Sequence, residues 1–385
     1  MGNKSWLVAI IISIFIFGVY TTTSPGETVY NHFMLLAEAF LKGKFYIEGT
    51  YPWLEKVPLD ENKFYVTNPP APAILIMPFV YFLGREFPQH IFGHLFGMGI
   101  VITTYLLSLK IKKDIRLAIF SSVAIGLGSI VWYLSSIGST WYLGQLVSAF
   151  FLTWTLLEII DKSRPVLLGI LMGLTFLSRS HMALTFPLIV IMNWKKFKKL
   201  KKLSMLILTF SIFAGFGFYY NYARFGNPLS NGYSLIPDVD TSPWFDKGLW
   251  NPVYLEKNLK IMFLKLPIIS KDFPYLIPSL GGMSILLTSP IFLLAFIKSK
   301  CDKIIKLSWI SIIITLFIVA SHGGTGFTQF GYRFAVDFYP FLMLILIKKL
   351  SKINLGKIHW FLLFVSILVN TWGVIFINKL NFVGW

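Results

Sequence analysis

The sequence predicts an all-α, polytopic membrane protein: a transmembrane helical bundle of about ten to twelve spans. Three observations predict it. Of 385 residues, 55% are hydrophobic and 14% charged, where soluble domains carry about 25% charged residues. Apolar stretches recur along the whole chain, and the mean hydropathy is +0.68. The bases sit in short runs between those stretches: Lys110–Arg116, Lys162–Arg164, Lys195–Lys202, Lys298–Lys306 and Lys348–Lys357. A surface this poor in charge faces something other than water.

The elements follow in order. One lysine precedes the apolar run Trp6–Tyr20, and no small-residue cleavage site follows, which predicts a retained first helix rather than a signal peptide. A long loop, residues 21–68, comes next. Within it Phe33, Leu36, Ala37 and Phe40 fall at helical spacing, predicting a helix over Tyr30–Leu41 that lies in the membrane interface. Spans are predicted at Pro72–Leu83, Ile91–Leu109, Leu117–Leu134, Tyr142–Ile160, Val166–Leu177, Met182–Trp194 and Leu203–Tyr220. A second long loop, residues 221–282, carries Trp244, Trp250, Tyr254 and many prolines. Spans resume at Met283–Ile297, Leu307–Ala320, Ala335–Ile347 and Ile358–Ile377, with a Gly-rich loop at Ser321–Tyr332. Residues 1–385 read as one transmembrane domain. Two short neighbours, Val166–Leu177 and Met182–Trp194, flank Ser178-Arg179-Ser180-His181. That polar break reads as the tip of a hairpin entering a cavity, because irregular backbone at membrane depth must line protein or water.

The net charge is +18, from 35 basic and 17 acidic residues. Bases confined to short inter-span runs mark cytoplasmic loops, so the partners they imply are anionic membrane lipids and not nucleic acid. The acids divide the other way. Glu27, Glu38, Glu55, Asp60, Asp238, Asp240 and Asp337 all fall in or beside the loops that lack basic runs. The long loops are therefore expected outside a plasma membrane. One count does not close: two crossings between Pro69 and Leu109 would put Lys110–Arg116 outside. Either Pro69–Leu83 is not a full crossing, or the run is an exception, or the N-terminus is outside. The single Cys301 excludes an internal disulfide and a CxxC site.

Few residues can carry chemistry. Glu27 stands just past the first helix in Ser24-Pro25-Gly26-Glu27-Thr28-Val29-Tyr30. A carboxylate there can take a proton from a hydroxyl, although local residues alone favour a role at a helix start. Asn68-Pro69-Pro70-Ala71-Pro72 makes a rigid helix start. Arg179, Arg224 and Arg333 lie near the expected outer side, where an arginine is costly and suits phosphate oxygens. Arg333 also has Asp337 one turn on, and a plain helix pair between them is an equal alternative. His32, His181 and His322 fall near the same side, while His90 and His94 read as packing residues. No HExxH, GxSxG elbow or P-loop occurs.

The order of features carries more than any one of them. Glu27 is followed by Ala37-Glu38-Ala39-Phe40-Leu41, Asn68-Pro69-Pro70-Ala71-Pro72 and Trp141-Tyr142-Leu143-Gly144-Gln145. Then come Leu177-Ser178-Arg179-Ser180, Tyr220-Asn221-Tyr222-Ala223-Arg224 and Gly331-Tyr332-Arg333-Phe334-Ala335-Val336-Asp337. This series resembles the GT-C superfamily of integral-membrane glycosyltransferases, relatives of the protein O-mannosyltransferases and the aminoarabinose transferase. The resemblance implies a polyprenyl-phosphate sugar donor and a hydroxyl acceptor on the outer side. A monophosphate leaving group demands no metal, so no metal and no cofactor are expected. It implies an acidic catalytic residue in the first outer loop, the place of Glu27. The family often has Asp or an Asp-Glu pair there, and this chain has a lone Glu. Arg333, Arg179 and Arg224 would bind the donor phosphate, and Asn68, Tyr332 and His181 would contact substrate. The alternatives are a transporter or flippase and an O-antigen polymerase or ligase.

Overall fold

The computed structural model describes residues 3–239, 241–326 and 328–380, so Asp240 falls outside the described residues. Helix α1 spans Asn3–Thr23 and α2 His32–Leu41. The first long loop also forms an antiparallel sheet of β1 (Ile47–Glu48), β2 (Lys56–Asp60) and β3 (Lys63–Val66), in the order β1-β3-β2. There follow α3 (Ala71–Leu83), α4 (His90–Ile111), α5 (Ile115–Gly126), α6 (Val131–Ile137), α7 (Thr140–Ile160), α8 (Pro165–Phe176), a 3-10 turn Ser180–Thr185, α9 (Phe186–Met192), α10 (Trp194–Phe197) and α11 (Leu200–Phe225). The second long loop contains α12 (Leu255–Leu264) and a hairpin of β4 (Ile268–Ile269) with β5 (Leu276–Ile277). The chain ends with α13 (Ile285–Thr288), a 3-10 stretch Pro290–Phe296, α14 (Lys303–Ala320), a 3-10 turn Arg333–Asp337, α15 (Tyr339–Leu350) and α16 (Lys357–Asn378).

Among the described residues six helices are long and apolar enough to cross a membrane: α1, α4, α7, α11, α14 and α16. A seventh span arises if α5 and α6 count as one, bent by 58°. The other predicted spans are shorter helical pieces. Helices α8 and α15 have 12 residues each, about 18 Å at 1.5 Å per residue, well short of a ~30 Å hydrocarbon core.

All five basic runs meet at one end of the bundle. Lys110 pairs with Asp161 at 2.9 Å and Lys348 with Asp302 at 2.9 Å. Lys196 Nζ donates to the Asp161 carbonyl, and Lys352 Nζ to the Lys300 carbonyl. The unclosed count resolves here. Helix α3 begins at the opposite end, where the Ala71 amide bonds the Leu177 carbonyl. Just past its other terminus Arg85 pairs with Glu38 on α2. Thus α3 packs alongside α2 and α4 makes the next crossing, which brings Lys110–Arg116 back to the lysine end. Pro69–Leu83 is not a full crossing.

Helix α2 also departs from expectation. It is a helix, but His32, Phe33, Met34, Leu35, Leu36, Ala37 and Ala39 are all buried. Its outer side is covered by protein as well as its inner side, because the strands of the same loop pack over it: Ile47, Leu54, Phe64 and Val66 join Phe33 and Leu36 in one apolar cluster.

Helix α4 approaches the α6–α7 corner so closely that only glycine fits. A Cβ on Gly93 would lie 2.7 Å from Gly138 Cα and 2.9 Å from the Ser135 carbonyl oxygen. Both obstacles are backbone, so neither can swing away. Gly93→Ala is therefore expected to cost about 1–3 kcal/mol of stability. Thermal unfolding of the detergent-solubilised variant checks this, and an unchanged Tm would contradict the packing described.

Candidate active site

The end opposite the lysine runs gathers most of the chemistry. Two structural features position it. The polar break after α8 turns Arg179 and His181 inward, and the 3-10 turn before α15 does the same for Arg333 and Asp337. Asp337 is buried, and its Oδ2 accepts from Arg179 Nη2 at 2.6 Å and Nε at 3.1 Å. His181 Nε2 lies 3.1 Å from the same oxygen. The Arg333–Asp337 pair is not formed. In a 3-10 helix residues i and i+3 eclipse, so i+4 points elsewhere; Asp337 faces the break after α8 and not Arg333.

Arg333 is 6% exposed. Among the described residues no carboxylate lies within salt-bridge distance, and its Nε has no hydrogen-bond partner. Its Nη1 is 3.5 Å from Gln145 Oε1, while its backbone is firmly held: the amide donates to Gln329 Oε1 at 2.8 Å and the carbonyl accepts from Gln145 Nε2 at 3.1 Å. The guanidinium lies 4.5 Å from the Phe334 ring centre and 5.8 Å from that of Tyr142. Arg179 lies 5.7 Å from the Phe334 ring centre, so both guanidinium groups lie near one phenyl ring.

Aromatic residues of both long loops complete the surround. The Trp141 indole N–H donates to Glu55 Oε2 at 3.1 Å. The Trp141 ring also packs 4.7 Å from Tyr30 and 6.0 Å from His32. Burial raises the Glu55 carboxyl above its ordinary range, against the Trp141 hydrogen bond and the Arg333 charge, which both lower it. From the second loop Tyr233 comes within the fields of Glu55 and Arg333. His322 sits among Trp250, Phe245 and Phe334 at 4.9, 5.5 and 5.5 Å. Burial lowers its pKa to about 4, so its ring is neutral at pH 7.

No family model matches this sequence, and no curated protein does. Solved structures share its fold. ArnT from Cupriavidus metallidurans bound to undecaprenyl phosphate aligns with a TM-score of 0.57 and 12% identity, over 96% of this chain and 64% of that one. The same ArnT in the apo state gives 0.55 and 12% over 95% and 63%. The apo oligosaccharyltransferase of Archaeoglobus fulgidus gives 0.50 and 14% over 98% and 55%. The chain shares the fold of this ArnT and of this oligosaccharyltransferase. At such identities the likeness is one of fold, and the chain spans under two thirds of each of these proteins.

Within this fold the residues singled out from sequence divide into groups. Arg179, His181 and Arg333 share the Phe334–Asp337 region, and Tyr332 is buried beside them with its ring 6.1 Å from Phe334 and its hydroxyl unpartnered. Asn68 Oδ1 lies 3.3 Å from His32 Nδ1, on the Trp141 side. Arg224 is engaged elsewhere. Its Nη1 donates to the Val66 carbonyl at 2.6 Å and it lies 3.6 Å over the Tyr220 ring, so it holds β3 to the end of α11. Glu27 is exposed, and its Oε2 lies 2.9 Å from His90 Nδ1 at the start of α4. Glu55, Tyr233 and Gln145 were given no role from sequence. Trp141, Tyr142 and Gln145 were visible as a motif, but nothing local tied them to Glu55 or Arg333. Among the described residues no group of three His, Cys, Asp or Glu side chains is arranged to hold a metal ion.

Proposed function

We propose that this protein transfers a sugar from a polyprenyl-phosphate donor to a hydroxyl acceptor, from a plasma-membrane bundle whose site faces outside. The observation that carries the reading is Arg333: a buried guanidinium with no carboxylate counter-ion among the described residues and an unpartnered Nε. Burying an unpaired charge is costly, and a lipid phosphate would supply the missing anion with a geometry the planar fork matches. Arg179, near the same Phe334 ring, is paired with Asp337 and holds the polar break beside the site. The phosphate leaves as an anion when the glycosidic bond breaks, so a preorganised cation stabilises the transition state. Tyr233, Trp250 and His322 would cover the sugar and exclude water. The fold likeness to an ArnT bound to undecaprenyl phosphate supports the same reading. The base is a carboxylate of the first long loop; Glu38, Glu48 and Asp60 pair with lysines, and Glu27 and Glu55 are candidates.

The test is release of undecaprenyl phosphate in proteoliposomes of the purified protein. The donors are undecaprenyl-phosphate hexoses and pentoses radiolabelled in the sugar, with a membrane extract as acceptor source. Label is expected to move from one donor to the extract, with stoichiometric lipid phosphate. Donor that crosses the bilayer uncleaved would indicate a flippase and contradict the reading.

Sidedness has its own check. Cysteine introduced in the 226–282 segment, after replacement of Cys301, is expected to react with an impermeant thiol reagent in intact cells. Cysteine introduced within Lys195–Lys202 is expected to stay unlabelled. The reverse pattern would turn the protein over.

A further inference from the structure

We infer that Glu55, rather than Glu27, is the carboxylate that takes the acceptor's proton. This rests on the glycosyltransferase reading above. Three observations separate the two residues. The first is position. Glu55 is tied to Trp141, and the next residue, Tyr142, faces the Arg333 guanidinium at 5.8 Å. Arg333, Glu55 and Tyr233 lie within one another's fields. Glu27 instead binds the His90 ring, and its Oε2 lies 3.4 Å from the His90 amide at the start of α4. That is a loop carboxylate satisfied at the N-terminus of α4.

The second observation is the partner set. A base must accept a proton, so a strong ion pair on its oxygens opposes its task. Glu55 makes no salt bridge among the described residues; its hydrogen-bond partner is the neutral Trp141 indole, on Oε2. The adjacent Lys56 is turned away, with Nζ 4.7 Å from the Phe64 ring centre and 3.4 Å from the Tyr51 carbonyl oxygen. The third observation is polarity of environment. Half-buried beside Trp141, the carboxyl is held above its ordinary range, which moves a base toward the operating pH. Arg333 and Tyr233 are the other titratable groups in its field, and Arg333 acts against that shift.

The step balances without another reactant. The acceptor hydroxyl gives its proton to Glu55 Oε1 as its oxygen bonds the anomeric carbon. The bond from that carbon to the phosphate oxygen breaks, and the electron pair leaves with the polyprenyl phosphate, held by Arg333. The proton then passes from Glu55 to solvent.

Glu55→Gln keeps the side-chain length and an oxygen for the Trp141 N–H, so the loop has no reason to unfold. With the donor that the native protein cleaves, this variant is expected to lose about 10²–10⁴-fold in kcat. Binding of radiolabelled undecaprenyl phosphate should stay within a few-fold of native. Native kcat/KM should rise with pH through an apparent pKa above the ordinary Glu value of about 4.3, and Glu55→Asp should move that pKa. Near-native turnover in Glu55→Gln, or an apparent pKa unmoved in Glu55→Asp and lost in Glu27→Gln, would overturn the inference while leaving the glycosyltransferase reading standing. A native protein that neither cleaves any donor nor binds undecaprenyl phosphate would overturn both.

Discussion

Arg333→Ala is expected to weaken binding of undecaprenyl phosphate by about 10- to 150-fold. The magnitude follows from one charge-assisted hydrogen bond, about 1.5–3 kcal/mol, converted at 1.4 kcal/mol per tenfold. The side chain is buried yet contributes little to folding that another group depends on. Its Nε is unpartnered, its Nη1 makes a long 3.5 Å contact with Gln145 Oε1, and Gln145 and Gln329 hold its backbone. Alanine therefore removes a buried charge without orphaning a carboxylate, and the variant is expected to unfold no earlier than the native protein. Arg333→Lys should recover part of the affinity, since an ammonium keeps the charge but loses the fork. Binding of radiolabelled lipid to the purified protein, with melting in parallel, reads both effects. A variant that binds normally and melts early would make Arg333 a structural residue.

Arg179 is expected to behave in the opposite way. Asp337 is completely buried, and Arg179 supplies two of the hydrogen bonds to its Oδ2. Removing one partner of a buried pair leaves an uncompensated charge and costs about 3–5 kcal/mol. Arg179→Ala should therefore lower stability by about that amount, at the low end because His181 remains on the same oxygen at 3.1 Å. Asp337→Ala should also destabilise. The double variant should be far less damaged than the sum of the two, because neither charge is then left alone. Denaturant unfolding of the three variants measures the coupling. Strict additivity would mean that the pair contributes nothing to the fold. The contrast between the two arginines is the chemical point. Arg179 is paired with Asp337 and fixes the polar break, whereas Arg333 has no carboxylate partner among the described residues.

Much of this was legible in the sequence for a physical reason. Apolar composition locates helices in lipid, and lysine runs locate their ends, so the succession of segments and the shared lysine end follow from hydropathy and charge. Arg179 and His181 stood out because a polar break between apolar stretches must face protein or water. What hydropathy does not encode is depth. Pro72–Leu83 is apolar enough to be read as a crossing, yet it packs along α2. The strands between Lys56 and Val66 were invisible because they are short and carry charges on their exposed positions. The Arg333–Asp337 pairing failed for a finer reason. One turn means four residues in an α-helix but three in the 3-10 turn that forms there. Glu55 was one loop acid among many. Its distinction is contact with Trp141, 86 residues away, and no local pattern reports such a contact.

The most direct measurement is a structure of the protein in nanodiscs with undecaprenyl phosphate. The phosphate is expected beside Phe334, with an oxygen about 2.7–2.9 Å from the Arg333 guanidinium and the lipid chain running between helices toward the lysine end. A phosphate resting among the lysines at the opposite end, with Arg333 still unpaired, would contradict the account.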